Sequence, residues 1–140
     1  MRFKKLTTTA ITPTRGTPGS AGLDLYSDKD ALVVNYKTEI IGTGIAVEIP
    51  EGYVGLVTVR SSLGKAGVSL ANSVGVIDSD YRGEVALCLT YAHDMGGYHI
   101  CKGERIAQLV VIPAPLFDLV EVDALSNTER GEGGFGSTGR

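Results

Sequence analysis

Three groups able to trade protons crowd into four residues of this chain: Asp78, Asp80 and Tyr81. They lie in a polar turn that ends at Gly83, flanked by two apolar runs, Val74–Ile77 and Val85–Leu89. From Asn72 to Tyr91 that layout predicts a β-hairpin with a short loop. Aspartates so placed have two uses. They cap backbone N–H groups in a surface turn, or one of them is an acid/base group held between buried strands. Asp78-Ser79-Asp80 with Gly83 also resembles the opening of an EF-hand loop, but Arg82 and Leu89 stand where further ligands belong, and no helices flank it. A calcium loop is excluded.

Four other segments carry polar chemistry. Arg60-Ser61-Ser62-Leu63-Gly64-Lys65-Ala66-Gly67 follows the strand-like run Tyr53–Val59. A planar fork of donors, compact hydroxyls and glycines that let backbone N–H groups approach suit phosphate oxygens; a polar turn with a serine cap is the plain alternative. It is not a Walker A loop, since Val59 replaces the glycine and Ala66 follows Lys65. Asp24 lies between Leu23 and Leu25, so its carboxylate faces away from theirs, into a cleft beside a metal or out to solvent at a strand edge. Arg105 and Gln108 interrupt the apolar run Arg105–Ile112, which is costly unless each finds a partner. The segment Thr128–Arg140 holds five glycines. Its Gly131, Gly133 and Gly136 fit GxGxxG, yet only four residues follow, leaving no helix and no acidic partner for a dinucleotide. What remains is a mobile tail, or a strap whose backbone amides, Arg130, Ser137 and Thr138 close over a phosphorylated ligand while Phe135 stacks on a base.

The elements that must position these groups are short strands. Leu23–Tyr26, Ala31–Val34, Ile40–Ile49, Tyr53–Val59, Val85–Tyr91, Arg105–Ile112 and Phe117–Val122 are short and mostly apolar, β-branched residues are abundant among them, and several are bounded by Gly or Pro. No amphipathic helix of three turns is present, and strands at this spacing imply an all-β sandwich or barrel. With 140 residues, 43% of them hydrophobic, and a mean hydropathy of +0.11, the chain can bury one real core. A net charge of −3 argues against a protein that coats nucleic acid, yet a few local cations still suffice for a small anion. The basic start Met1–Ala10 lacks a signal-peptide core, and the best apolar run, Leu109–Ile112, stops at Pro113, far short of a membrane span. Cys88 and Cys101 form no CxxC pair and read as reduced, packed thiols, which suits the cytosol. His93 and His99 have no ligand spacing with them, so no structural zinc is expected.

Five segments together closely resemble the trimeric dUTPase family: Ala21–Leu25, Arg60–Ser62, Gly75–Glu84, Gly103–Leu109 and Arg130–Gly139, in family order. The resemblance implies an all-β, jelly-roll-like β-barrel over residues 1–127, forming a homotrimer, with a flexible C-terminal arm over 128–140 that closes a neighbouring subunit's site. It implies hydrolysis of dUTP to dUMP and diphosphate by water attack at the α-phosphorus, with Mg²⁺ on the triphosphate. Asp78 would be the general base. The stretch from Asn72 through Gly75, Val76 and Ile77 would read uracil by its backbone, and Tyr81 would pack on the sugar where a 2′-hydroxyl would sit. Arg60, Ser61, Ser62 and Gln108 of a second subunit would hold phosphate oxygens, and Asp24 would stand near Mg²⁺ through water. From a third, Phe135 and Gly136 would cover the base, with Arg130, Ser137 and Thr138 at the γ-phosphate. A cytoplasmic protein, or a nuclear one in a eukaryote, is expected, with no nucleic-acid polymer or membrane as partner. Val59 stands where the family usually has proline and Ser62 where glycine is common, and a serine pair there also resembles the dCTP deaminases. A deaminase-like enzyme and a non-catalytic nucleotide- or protein-binding trimer are the alternatives.

Overall fold

The computed structural model describes residues 1–93, 96–135 and 137. In chain order its elements are β1 (Arg2–Lys5), β2 (Leu23–Tyr26), β3 (Ala31–Val34), β4 (Thr38–Glu48), β5 (Tyr53–Val59), α1 (Ser61–Lys65), β6 (Val68–Leu70), β7 (Gly75–Ile77), β8 (Glu84–Tyr91), β9 (Gly97–Ile100) and β10 (Arg105–Pro113). The strands form two four-stranded antiparallel sheets, ordered β1-β4-β8-β6 and β2-β10-β5-β7, and a small β3-β9 pair. The all-β, jelly-roll-like expectation holds.

Alternation builds the core. In β8, Val85, Leu87 and Leu89 are fully buried while Glu84 and Ala86 face out, the period of a half-buried strand. They meet Ile41, Ile45 and Val47 of β4, Leu25 of β2, and Ile106 and Leu109 of β10 in one cluster. Each such side chain contributes about 1.5–3 kcal/mol relative to exposure, enough in sum to hold the sheets without a cross-link. Both cysteines are free: Cys88 is half-buried, whereas Cys101 lies exposed just past β9 and is not the packed thiol expected. No helix among the described residues is long and apolar enough to cross a membrane.

Two expectations fail, each for a reason of pairing. The Asn72–Tyr91 stretch is not a hairpin. β7 pairs with β5, while β8 pairs with β4 and β6 in the other sheet. Residues 78–83 therefore arch from one sheet to the other. Stacked sheets lie about 10 Å apart, a gap that six extended residues span easily, and β5 offers β7 an edge. Phe117–Val122 is no strand either. After β10 ends at Pro113 the described chain has no regular structure, and Phe117, Leu119 and Val120 are 77–101% exposed. A strand needs a neighbour for its backbone groups, and among the described residues no strand pairs with this segment. Strands β1, β6 and β9 went unforeseen because they are short and interrupt their apolar residues with polar ones: Arg-Phe-Lys-Lys, Val-Ser-Leu and Gly-Tyr-His-Ile.

Candidate active site

Pairing of β2 with β10 sets Asp24 opposite Gln108, and pairing of β10 with β5 sets Gln108 opposite Thr58, two residues before Arg60. The result is a compact polar cluster. The Asp24 carboxylate, 3% exposed, lies 3.1 Å from Arg60 Nε and 3.3 Å from Arg105 Nη1, and accepts a 3.4 Å hydrogen bond from Gln108 Nε2. The Arg60 contact is ionic but misaligned, so its buried Nε–H has no hydrogen-bond acceptor. One carboxylate facing two guanidiniums leaves the cluster a positive charge, and both arginines keep solvent-facing surface, 26% and 48% of their side chains. A cluster with this excess of positive charge and exposed guanidinium surface has the chemistry to meet an anion.

Asp24 is thus not a solvent-edge residue. It is also not part of a protein-made metal cage, since the described residues contain no group of three or more His, Cys, Asp or Glu placed around one point. The donor set fits Mg²⁺ in the way hard, strongly hydrated ions often bind, carried on phosphate oxygens and reached by one carboxylate through water. The residue after β5, Arg60, occupies the N-cap position of α1 with no side-chain cap, so neither Ser61 nor Ser62, both exposed, is spent as a capping serine. Leu63 anchors the short helix in the core.

The second grouping is the arch. Its opening is a tight turn in which Val74 N–H donates to Asn72 O at 2.7 Å, with Ser73 at φ 64°. Gly75 lies against Val57, where a Cβ would press to 3.2 Å, while Val76 is 58% exposed and Ile77 packs on the core. Asn72 and Asp78 are exposed. Asp78 lines an open cleft of about 880 Å³ with Glu48, Tyr53, Asp80 and Arg82. Tyr81 N–H donates to Asp78 O at 3.2 Å, and Arg82 Nη1 donates to Ser79 O and Tyr81 O at 2.7 and 2.9 Å. The Tyr81 ring lies over Gly83, where a Cβ would come within 2.5 Å of Cζ, and its hydroxyl donates to Glu84 O at 3.1 Å. The ring is fixed yet 43% exposed.

These two groupings do not meet within one chain. Ile77 pairs with Gly55, so Asp78 stands level with Val54 at the start of β5, whereas Arg60 follows its end. Six residues of strand separate them, roughly 20 Å at the usual rise. The arm is a third, separate piece. Arg130 Nε donates to Gly133 O at 2.8 Å and Ser137 N–H to Gly134 O at 3.1 Å, so its hydrogen bonds among the described residues are internal. Phe135 is fully exposed at φ 49°. Gly136 and Thr138 lie outside the described residues.

Sequence reasoning noticed Arg105 beside Gln108 but did not include it in the site; its contact with Asp24 does. Glu84 was passed over because it reads as an ordinary outward residue at the head of a strand.

A family model described as dUTPase matches residues 8–139. The deoxyuridine 5'-triphosphate nucleotidohydrolase of Nautilia profundicola is 44% identical over 141 aligned positions, covering 100% of this chain and 99% of that one. Among solved structures, the Staphylococcus bacteriophage 80alpha dUTPase with dUPNHPP superposes at a TM-score of 0.93 with 33% identity, over 99% of this chain and 98% of that one. A dUTPase from phage phi11 of S. aureus with a coordinated structural Mg(II) ion superposes at 0.80 with 27% identity, over 88% and 96%.

Proposed function

The chain belongs to the dUTPase family, enzymes that hydrolyse dUTP to dUMP, and from that premise we propose that its active site is assembled from three copies of the chain. Family membership sets aside the deaminase-like and non-catalytic alternatives. One observation carries the proposal: each chain holds a charged phosphate cluster at one end of β5 and an aspartate-tyrosine arch near the other, too far apart to act on one phosphorus. Apposition of different subunits brings one chain's arch to another's cluster. The exposed apolar run Leu116–Val120 is surface that such an assembly would cover.

In this site the backbone of Asn72–Ile77 holds uracil and the Tyr81 ring packs on the deoxyribose. A ribose there brings a 2′-hydroxyl with no partner, which costs on the order of a kcal/mol or more. Arg60, Ser61, Ser62 and Gln108 of the neighbouring chain receive phosphate oxygens, with Asp24, itself bound by Arg105, holding Arg60 and Gln108 in place. Asp78 accepts a proton from water as its oxygen bonds to the α-phosphorus; the bond from that phosphorus to the bridging oxygen breaks, and diphosphate leaves. Asp24 would stand nearest a Mg²⁺ carried on the triphosphate, reaching it through water, and the ion would supply neutralisation of phosphate charge. The third chain's arm, residues 128–140, lays Phe135 and Gly136 over the base and brings Arg130, Ser137 and Thr138 to the γ-phosphate, excluding bulk water. No nucleic-acid polymer or membrane takes part.

Subunit complementation tests the shared site. Asp78→Asn and Arg60→Ala proteins, each inactive alone, are unfolded together in equal amounts and refolded. If the two residues come from different chains, random assembly leaves about a quarter of the sites with both, and that activity returns. Silence of the refolded mixture, with correct assembly, would place both residues in one chain's site.

A further inference from the structure

Glu84 stands at the head of β8 facing outward, yet its side chain is held. Its Oε1 accepts the Gly44 N–H at 2.7 Å. Gly44, at φ +66°, sits where the pairing of β4 with β8 slips between Gly42 and Ala46. Such a bulge turns a backbone amide away from the ladder and aims it at a chosen partner. Gly42 makes room for that partner, because a Cβ there would overlap Glu84 Oε1 and come within 3.1 Å of its Cδ. Thr43 locks the same bulge from the inside: its buried Oγ1 donates to Val85 O at 2.6 Å and accepts the Ile45 N–H at 3.3 Å. The exit of the arch is therefore fastened to β4 twice, by the Glu84 side chain and by the Val85 backbone.

The same residue fixes Tyr81. The Glu84 carbonyl is the acceptor of the Tyr81 hydroxyl at 3.1 Å, while Gly83 leaves the space in which the ring lies. We propose that Glu84 is a positioning residue for nucleotide selection. Its carboxylate, clasped by the β4 bulge, fixes the Glu84 peptide and through it the tilt and depth of the Tyr81 ring. This rests on the assignment of Tyr81 to the deoxyribose. The clasp needs a hydrogen-bond acceptor rather than a counter-charge, because its partner is a backbone N–H, to which an amide oxygen can also accept, though more weakly than a carboxylate.

The test compares Glu84→Ala, Glu84→Gln, Gly42→Ala and Tyr81→Ala by kcat/KM for dUTP and UTP and by hydrogen exchange across residues 78–83. Glu84→Ala is expected to lower the dUTP-to-UTP preference on the order of tenfold and to speed exchange in the arch, with both restored in Glu84→Gln. Gly42→Ala, which displaces the carboxylate without deleting it, should repeat the alanine result and covers the case in which Glu84→Ala folds poorly. Unaltered exchange and preference in both alanine variants overturn the clasp, as does a Glu84→Gln protein as impaired as Glu84→Ala. An unchanged preference in Tyr81→Ala overturns instead the sugar assignment, and the exchange data then still decide for or against the clasp.

Discussion

Replacing Asp24 by Asn keeps the shape of the side chain and deletes the one negative charge between two guanidiniums. Arg60 and Arg105 then face each other across a neutral amide, each having lost an ionic contact of 3.1–3.3 Å. Removing one partner of a fully buried ion pair costs about 3–5 kcal/mol. Here the carboxylate is buried but its partners keep 26% and 48% of their side-chain surface, so water relieves part of the loss. A cost of roughly 2 kcal/mol follows, which for a domain of this size lowers Tm by about 5–10 °C. Activity should fall further than stability. Freed from Asp24, Arg60 has no ionic anchor, and displacement of a phosphate-binding group by about an ångström costs on the order of 100-fold. Thermal unfolding and diphosphate release from dUTP with Mg²⁺, measured on the same preparations, separate the two effects. Adding Arg105→Met to Asp24→Asn removes the uncompensated neighbour and should recover part of the Tm. If the single variant melts within 2 °C of the parent with normal kcat/KM, or if the two substitutions lower Tm additively, the cluster does not work as an ionic clamp.

Asp78→Asn should abolish turnover while calorimetry still registers nucleotide binding, since the amide keeps the shape but accepts no proton from water; near-normal kcat would remove Asp78 as the base. Deleting residues 129–140 should cut kcat/KM by orders of magnitude with Tm unmoved, because the described arm bonds only to itself; a collapse of Tm would make the arm structural. A pH effect follows from Asp28, whose carboxyl lies below the usual aspartate range because Thr9 and Thr7 donate to it at 2.7 Å, aided by the charge of Lys102. A depressed carboxyl stabilises the fold above its unfolded pKa, and that contribution is lost as pH falls through the folded pKa. Thr9→Val, which leaves the Thr7 hydroxyl to accept the Ala10 N–H, should therefore cost about 0.5 kcal/mol after solvent screening in urea titrations at pH 7, with the gap closing as pH falls below roughly 4. A gap equally wide in acid would remove Asp28 as its source.

Side chains whose chemistry is local were legible in the sequence. Arg60-Ser61-Ser62 after an apolar strand, Asp78 and Tyr81 in a polar turn, and a glycine-rich strap each stood out by residue type. Residue type left a plain turn, cap or tail open for each, and only their joint resemblance to one family turned them into a proposed site. Strands with clean alternation, such as β8, were legible too, since period-two burial is written along the chain. What could not be read was pairing. Nothing in Val74–Ile77 and Val85–Leu89 tells a hairpin from an arch, because both need apolar strands and a polar connection. The choice falls to β5, twenty residues upstream of the arch, whose edge β7 joins. Glu84 was invisible for the same reason: its partner, the Gly44 amide, exists only where β4 bulges against β8.

The failure at Phe117–Val122 belongs to the same logic carried one step further. Its apolar residues have the composition of a buried element, yet among the described residues it pairs with no strand edge and stays out of the core. Leaving such a segment exposed along an entire stretch is unfavourable, at about 1.5–3 kcal/mol for each large aliphatic or aromatic side chain. In the proposed assembly, surface from another copy would meet this surplus. The active site poses the same demand in polar form: a phosphate cluster, an arch and an arm, each ordered by its own chain's contacts and each lacking the other two. The proposed three-chain site would meet apolar excess and catalytic incompleteness by one event, apposition of subunits. If that is so, any change that opens the assembly, such as Leu119→Asp with Val120→Asp, should abolish dUTP hydrolysis in step with loss of the trimer by light scattering. Full activity in a stable monomer would break the link.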